Sequence, residues 1–220
     1  ERMMESDNFA NVRSFIAEKF NLENAVLCSI PVDSPKLLET YQKAIREKNP
    51  RNQVLIKPVM RNELTQEAFI PGSSIKGSIR TAIANRFVEA AGVTSNDSRG
   101  RDDYNNKIFG RIDKDPMRYL KIYDVTLGKA GTVVVEAKEL PLNPDKPLTP
   151  KDHMEVACSL SHTGREYVYP LQLSMAPFDL HGVRVDTAFL IDSLYRFYIA
   201  KYTEEYLKFY DSSSSDEIKK

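Results

Sequence analysis

The sequence predicts a mixed α+β fold, and three observations support this prediction. Apolar residues recur at helical spacing over two stretches, Ile75–Phe87 and Phe189–Phe209. A run of β-branched residues, Thr132–Val135, is typical of a strand. Of the 220 residues, 41% are hydrophobic and 28% are charged, which is ordinary for a globular protein. A chain of this length forms one large domain or two small ones and can bury a substantial core.

The first 52 residues predict two amphipathic helices. The apolar side of the first comprises Met4, Phe9, Val12, Phe15, Ile16 and Phe20. The second opens at Ser34-Pro35, a favourable pair for the start of a helix, and its apolar side comprises Leu37, Leu38, Tyr41 and Ile45. A basic cluster lies near its end: Lys43, Arg46, Lys48 and Arg51. The helix dipole favours cations there without any ligand, and an RNA contact is the alternative.

A short β-rich stretch, Gln53–Met60, precedes the centre of the chain. Because Pro58 lacks a backbone N–H, we expect this stretch to be an edge strand or to contain a bulge. A polar turn near Asn62-Glu63 then leads into a second short strand, Ala68–Ile70.

A helix is expected over residues 74–91, with an apolar face made of Ile75, Ile79, Ala82, Ile83 and Phe87. Ser73 or Ser74 is the expected N-cap, because a hydroxyl oxygen can accept a free N–H of the first turn. Gly92 stands where a left-handed residue commonly ends a helix.

The first turns of this helix predict a bound phosphate. Lys76 and Arg80 are four residues apart, hence on one face near the positive end of the helix dipole, and this helix contains no acidic residue before Glu89. Gly77 disfavours a helix by about 1 kcal/mol relative to alanine, so we expect close approach to the backbone there. Backbone N–H groups, two serine hydroxyls and two cations suit a phosphate. The alternative is a capped core helix with two solvated cations.

These residues do not form a nucleotide-binding P-loop. Gly72 and Gly77 have the required spacing, but Ser78 and Ile79 stand where that motif needs Lys and Ser or Thr. No Gly-x-Gly-x-x-Gly occurs either.

The middle of the chain predicts a loop, a linker and two hairpins. Residues 92–107 are polar and predict a mobile loop, in which Asp97, Asp102 and Asp103 lack the spacing of a calcium loop. Arg118–Thr126 and Thr132–Lys138 are expected strands, with Leu127–Gly131 as their turn. Four prolines make Leu140–Pro150 an extended linker. His153–Leu160 and Tyr167–Met175 predict a second hairpin around Thr163-Gly164.

Asp186 is the expected N-cap of a long helix near the end of the chain. Its bulky residues are Phe189, Leu190, Leu194, Phe197, Tyr198, Tyr202, Tyr206 and Phe209. At helical spacing such a set is typical of a core or a subunit interface, and stacking on RNA bases is the alternative. The four serines after Asp211 predict a frayed tail.

Composition excludes several classes of protein. The 31 cations balance 31 anions, so the chain does not coat nucleic acid by bulk charge and any RNA binding must be local or shared with partners. There is no run of about 18 apolar residues and no signal peptide, so we expect a cytoplasmic protein without a membrane partner. Cys28 and Cys158 form no metal-spaced pattern, and we expect buried thiols and neither metal nor cofactor.

Three histidines, His153, His162 and His181, permit acid–base catalysis but do not require it. No Ser-His-Asp pattern, His-Glu-x-x-His motif or paired carboxylate accompanies them.

Two blocks of the chain resemble the RAMP superfamily, the RNA-binding subunits of type III CRISPR effector complexes. Pro71–Arg80 is similar to the family motif Pro-Gly-Ser-Ser-hydrophobic-Lys-Gly-x-hydrophobic-Arg. Phe109–Pro116, followed by Leu120–Asp124, is similar to the block of Phe-Gly, strand and Asp that follows the helix in that family. The aromatic helix, with Phe197-Tyr198 and then Glu204-Glu205, resembles the fifth subunit of the Csm (type III-A) complex.

The resemblance implies a ferredoxin-like (RRM-like) core over 53–185 with loop insertions, a helical segment over 1–52, and a C-terminal aromatic helix with a frayed tail over 186–220. It implies a non-catalytic subunit that binds crRNA, caps the subunit filament at the 3′ side of the guide and supports crRNA maturation in antiviral defence. The implied RNA contacts are Gly72, Ser73, Ser74, Lys76, Gly77 and Arg80, with Arg111, Lys114 and Arg118 as weaker candidates.

The implied partners are crRNA and neighbouring RAMP backbone subunits of the ribonucleoprotein, and they extend to target RNA and host nucleases. Two alternatives stay open: a RAMP endoribonuclease that processes crRNA or cuts target RNA, and a structural module whose Ser-Ser-Lys-Gly turn only caps a helix. The family's opening strand and closing glycine-rich loop are not visible, so we expect one incomplete domain.

Overall fold

The computed structural model describes residues 26–47, 55–94, 97, 103–128, 131–141, 143, 146–158, 164 and 166–211. They belong to two compact units: Glu1–Phe69, Thr126–Pro141 and Pro147–Tyr169 form the first, and Ile70–Val125, Leu142–Lys146 and Pro170–Lys220 form the second. The predicted mixed α+β class is confirmed, and the division into 1–52, 53–185 and 186–220 stays a prediction. Some predicted features lie outside the described residues: the amphipathic stretch that ends near Phe20, Lys48, Arg51, Asp102, His162 and the serine-rich tail.

The described residues contain four α-helices: α1 Pro35–Glu47, α2 Gly72–Phe87, α3 Asp103–Phe109 and α4 Thr187–Glu205. A 3-10 helix spans Pro116–Tyr119, and a π-helix, Tyr206–Asp211, extends α4. The strands are β1 Ile56–Lys57, β2 Ala68–Ile70, β3 Leu120–Ile122, β4 Val125–Gly128, β5 Thr132–Glu139, β6 Thr149–Ala157, β7 Leu173–Met175, β8 Phe178–Leu180 and β9 Val183–Val185. None of the described helices has the length and apolar composition needed to cross a bilayer.

In the first unit, three strands form a sheet in the order β1-β6-β5. β5 and β6 are antiparallel, and β1 runs parallel to β6 with Ile56 opposite His153. β1 lies at the edge and ends directly before Pro58, which confirms the expected edge strand. Ser34 Oγ accepts the N–H of Leu37 at 3.2 Å, which confirms the predicted start of α1.

A buried ion pair joins the elements of this unit. The side chain of Glu155 is fully buried, and its carboxylate accepts hydrogen bonds from the guanidinium of Arg61, from Thr132 Oγ1 at 2.5 Å and from the N–H of Val59 at 3.1 Å. Since an unpaired buried charge costs several kcal/mol, about 3–5 when one partner is removed, these four groups depend on one another.

Both predicted hairpins are wrong, because the strands pair with distant partners. β4 pairs with β2 and β3 pairs with β7, so Leu127–Gly131 does not connect two strands of one ladder. β6 begins at Thr149, within the predicted linker, and pairs with β5 rather than with any part of Tyr167–Met175. Burial selects these partners: Thr132, Val133 and Val134 are buried in succession, as in a strand covered on both faces.

The second unit has its core around α2. The buried side chains are Ile79, Ile83, Ala84, Phe87, Ile108, Phe109, Met117, Leu120, Phe178, Leu180, Val185 and Leu190. Asp186 Oδ1 accepts the N–H of Phe189 at 3.0 Å, which confirms the predicted N-cap of α4. The predicted loop over 92–107 is wrong in its last part, since α3 begins at Asp103, and the burial of Ile108 and Phe109 explains this helix.

The turns after α2 confirm that Gly92 is left-handed, although α2 itself ends at Phe87 rather than at the predicted residue 91. This residue has φ +60°, and its N–H donates to the carbonyl of Glu89 at 2.9 Å. The N–H of Val93 donates to the carbonyl of Val88 at 2.9 Å. These two bonds form a Schellman motif, so the turns after Phe87 end at a left-handed glycine.

Candidate nucleic-acid interface

The N-terminus of α2 is anchored by a carboxylate rather than capped by a serine. The helix begins at Gly72, with Pro71 as an N-cap residue that makes no side-chain hydrogen bond, so the predicted cap at Ser73 or Ser74 is wrong. Asp124 Oδ1 accepts the N–H of Gly72 at 2.8 Å. Asp124 follows β3, and its carboxylate takes the place that a serine hydroxyl was expected to fill.

Gly72 also allows the helix to approach β3 closely. A Cβ atom at Gly72 would overlap the carbonyl oxygen of Ile122 and lie 2.9 Å from the carbonyl carbon of Tyr123. Only glycine fits this contact between backbones. Gly72 is therefore buried within the fold, and an RNA contact by Gly72 stays a prediction.

Arg80 is held by the second block of the family motif. Its Nη1 lies 2.6 Å from Asp115 Oδ2, its Nε donates to Asn105 Oδ1 at 3.3 Å, and its guanidinium lies 3.8 Å from the centre of the Phe109 ring. The side chains of Arg80 and Asp115 are 28% and 19% exposed. An RNA contact by Arg80 stays a prediction, and the contacts that the fold gives it fix α2 against α3.

The four residues that follow Gly72 in the predicted phosphate site lie on the outer part of α2. Ser73, Ser74 and Gly77 are exposed, and Lys76 is half-buried. Gly77 is three or four residues from both serines, so these three share one surface of the helix. A Cβ atom at Gly77 would meet no atom within 4 Å, so no packing within the described chain requires glycine there. No hydrogen bond or ion pair of the Lys76 side chain is found within the described residues.

The weaker candidates lie in the segment before β3. The side chain of Arg111 is 84% exposed and lies 3.6 Å from Asp113. Arg118 donates to the backbone carbonyls of Asp113 and Asp115, so it stabilises this turn. Lys114 is exposed. Their roles in RNA binding stay predictions.

Helix α4 carries tyrosines on its exposed side. Tyr195 and Tyr202 are 66% and 63% exposed, while Leu190 belongs to the core. The Tyr198 hydroxyl donates to the carbonyl of Ser78 at 3.2 Å, which places this part of α4 beside α2. The interpretation as core therefore applies to one side of α4 only.

The structure describes two of the three histidines, His153 and His181, and they lie in different units. His181 lies in the tight turn between β8 and β9 with φ +49°, and its Nε2 is 2.9 Å from the carbonyl oxygen of Ile108. His153 lies in the first unit, and its Nε2 is buried without a hydrogen-bond partner among the described residues. No group of His, Cys, Asp or Glu suited to a metal ion occurs in the part of the chain that the structure describes.

Asp97 forms a local contact rather than a metal site. Lys107 Nζ lies 2.7 Å from Asp97 Oδ1, and Thr94 donates its N–H and hydroxyl to Oδ2 at 2.6 and 2.9 Å. The hydrogen bond from Lys107, followed by those from Thr94, lowers the pKa of Asp97 to about 2. The expected solvated loop is thus tied to α3 at this residue.

The sequence analysis missed the roles of Asp124 and Asp115. Both belong to the second block of the motif. Asp115 precedes the 3-10 helix and Asp124 follows β3, and at such places a side-chain carboxylate can cap backbone N–H groups. Their partners are 52 and 35 residues away in sequence, so no local pattern assigns Gly72 to the first or Arg80 to the second.

Comparison with known proteins identifies the family. The family model described as the RAMP superfamily matches residues 48–212, three quarters of the chain. The chain belongs to the RAMP superfamily. In this RAMP protein the match includes both blocks that carry the resemblance. A search of curated proteins found no match. Among solved structures, the crystal structure of T. onnurineus Csm5 is similar at 17% identity and a TM-score of 0.46, covering 92% of this chain and 73% of that chain.

Proposed function

We propose that the chain is a non-catalytic crRNA-binding subunit of a type III-A CRISPR (Csm) effector complex. The outer surface of α2, formed by Ser73, Ser74, Lys76 and Gly77, contacts the phosphate backbone of the guide. The observation that carries this proposal is Gly77, an exposed helical glycine with open space around it in a RAMP motif. Its cost to the helix, about 1 kcal/mol, has no compensation within the described chain. An RNA backbone that approaches Gly77 closely supplies this compensation.

The groups around Gly77 suit a phosphodiester. Ser73 and Ser74 present hydroxyl donors and Lys76 supplies a cation beside them. The carboxylate of Asp124 occupies the tip of the helix, so a phosphate binds one turn further along, where Lys76 and Gly77 lie. Such contacts read no base, which suits guides of variable sequence.

The finer parts of the proposal follow the family resemblance. The ferredoxin-like core spans residues 53–185 and includes the phosphate-binding helix, and the subunit caps the filament at the 3′ side of the guide. Its partners are crRNA and a neighbouring RAMP backbone subunit, in a cytoplasmic complex that defends against viruses. The zero net charge fits binding that is local and shared with partners.

The experiment measures binding of a labelled crRNA by fluorescence anisotropy across a series of salt concentrations, with and without the backbone subunit. Lys76→Ala is expected to weaken binding about tenfold at low salt and to reduce the slope of log K against log salt by about 1, because one phosphate contact is lost. Lys151→Ala is the matched control, since Lys151 is an exposed lysine of the first unit.

Three outcomes separate the hypotheses. Loss of affinity in Lys76→Ala alone, with intact RNA, supports the capping subunit. Equal affinity of both variants and the wild type for crRNA at every salt concentration means that the motif only anchors the helix and does not bind RNA. Cleavage of the RNA that persists through further purification places the protein among the endoribonucleases.

A further inference from the structure

The last part of α4 and the π-helix that extends it carry a row of tyrosines. Tyr198, Tyr202, Tyr206 and Tyr210 follow one another at intervals of four residues and form what we call the tyrosine ladder. The ring centres of Tyr202 and Tyr206 lie 6.0 Å apart, with an angle of 28° between the ring planes. Those of Tyr206 and Tyr210 lie 6.3 Å apart, at 16°. Since four helical residues rise by about 6 Å, nearly parallel rings repeat along the helix axis.

The second unit does not cover this segment. The structure describes every residue from Tyr198 to Asp211, and none of them is buried. The side chains of Tyr202, Tyr206 and Tyr210 are 63%, 44% and 43% exposed. A helix shorter than about 12–15 residues is marginal in water unless something packs against it. A row of exposed rings on such a segment therefore indicates a surface that a ligand or a partner covers.

Contacts within the second unit place the tyrosine ladder beside the start of α2. Arg86, near the end of α2, lies 2.8 Å from Asp192 in the first turns of α4. Ser78, nearer the start of α2, accepts the Tyr198 hydroxyl through its carbonyl. The two helices therefore run in opposite directions. The rungs of the ladder that follow Tyr198 lie first at the level of the opening turns of α2 and then past its N-terminus.

The rings, and not the charge of this segment, provide its chemistry. Tyr195–Asp211 contains three basic and three acidic residues, so it neither attracts nor repels a polyanion as a whole. The proposed function supplies the cation from α2, through Lys76. Proteins that bind single-stranded nucleic acid combine these two features: positive groups that follow the phosphates, and aromatic rings on which successive bases stack.

We propose that the tyrosine ladder stacks on unpaired bases of the RNA strand whose phosphates contact the outer surface of α2. This inference rests on the proposed RNA binding and adds a surface for bases to it. Every base has a π-face, so the stacking accepts any sequence, as the phosphate contacts do. A strand within a duplex rises about 3.4 Å per nucleotide, so the ring spacing of 6.0–6.3 Å suits a single strand extended along the helix.

The experiment compares two labelled strands of equal length by fluorescence anisotropy: oligouridylate, and an abasic strand that keeps the phosphates but has no bases. The full chain is measured alone and with the backbone subunit across a series of salt concentrations. Tyr206→Leu removes the ring at an exposed residue and keeps a good helix former, so it is expected to fold. It should weaken binding of oligouridylate about tenfold, through the loss of one stacked base, and leave binding of the abasic strand unchanged. Because stacking releases no counterions, the slope of log K against log salt should stay the same.

Three further variants are controls. Tyr206→Phe keeps the ring and should bind both strands as the wild type does. Tyr104→Leu makes the same change at an exposed tyrosine of α3 and should also bind both strands normally. Lys76→Ala should weaken binding of both strands, because both contain the phosphates.

Equal affinity of Tyr206→Leu and the wild type for oligouridylate would overturn the proposal, and so would an equal loss on the abasic strand. A loss of affinity for the backbone subunit instead of oligouridylate would identify a protein interface and would also overturn it. Lys76→Ala reports separately on the phosphate contacts through the abasic strand. Failure of this proposal and failure of the proposed RNA binding are therefore distinguishable.

Discussion

Two glycines of one helix are predicted to respond to alanine in opposite directions. Gly72 lies against the backbone of β3, whereas Gly77 is surrounded by open space. The substitutions Gly72→Ala and Gly77→Ala add the same methyl group to α2, five residues apart. Their comparison therefore separates a glycine that the fold requires from one that the fold does not require.

The cost of Gly72→Ala follows from its contacts. The new Cβ would overlap the Ile122 carbonyl oxygen and lie 2.8 Å from the Ile122 carbonyl carbon, against an optimal carbon–carbon separation of about 3.5–4.0 Å. Backbone must move by about 1 Å, and overpacking of this kind costs about 1–3 kcal/mol. The movement also stretches the hydrogen bond between Gly72 and the Asp124 carboxylate, which contributes about 1.5–3 kcal/mol. We expect a loss of about 3 kcal/mol or more.

Gly77→Ala has no such contact. It removes the glycine from the second turn of a helix, which stabilises the chain by about 0.5–1 kcal/mol. If RNA approaches this backbone, the same methyl group obstructs it, so stability rises while affinity for crRNA falls. A structural helix anchor predicts the gain in stability without the loss of affinity.

The assay combines thermal unfolding followed by circular dichroism with RNA anisotropy. For a chain of this size 1 kcal/mol shifts Tm by about 2–4 °C, so Gly77→Ala should raise Tm by about 1–4 °C and Gly72→Ala should lower it by about 6–12 °C. A Gly72→Ala protein as stable as the wild type would refute the close contact between α2 and β3. Unchanged RNA affinity of Gly77→Ala would refute close approach at Gly77.

Three further predictions concern stability. Glu155→Ala should cost about 3–5 kcal/mol in urea denaturation, because Arg61 is left buried and unpaired, and Arg61→Met in the same chain should restore part of the loss. The pKa of Asp97 is lowered from 3.8 to about 2 in the folded protein, so its carboxylate contributes to the free energy of unfolding above pH 3.8 and loses this contribution as the pH falls towards 2. The difference in stability between the wild type and Asp97→Asn should therefore shrink over that interval. Arg80→Lys keeps the charge but loses the planar contact with Phe109, and should cost about 1 kcal/mol.

Each of these has an outcome that contradicts it. A neutral Glu155→Ala would mean that solvent reaches the carboxylate. Parallel acid-unfolding profiles of the wild type and Asp97→Asn would mean that the Lys107 contact does not persist in solution. Equal stability of Arg80→Lys and the wild type would show that the fold needs only a cation beside Asp115.

The starts and ends of helices were predictable from the sequence, because they depend on neighbouring residues. Ser34 and Asp186 each accept an N–H three residues away, and Gly92 and Val93 close the turns after α2 through bonds to carbonyls within five residues. Pro58 limits β1 through its own missing N–H. In each case the physical cause lies within one turn of the chain.

Strand partners were not predictable in this way. Ile56 pairs with His153 and Leu120 pairs with Met175, and no local preference specifies either partner. The same holds for the candidate site: Ser73, Ser74 and Gly77 are exposed and Lys76 is half-buried. Gly72 and Arg80 are engaged by residues that follow much later in the chain. Gly72 and Arg80 thus position α2, and the other four motif residues lie on the surface of that helix.

The long separation between α2 and its partner helix has a consequence for synthesis on the ribosome. α2 ends at Phe87 and α4 begins at Thr187, one hundred residues later. At about 5–20 residues per second, the apolar face of α2 waits for about 5–20 s before Leu190 can cover it. During that interval Phe87 lacks the ring contact that it makes with Phe189 in the folded unit. The second unit is therefore completed only after α4 has been synthesised, and chaperone binding to the nascent chain should be greatest before α4 emerges.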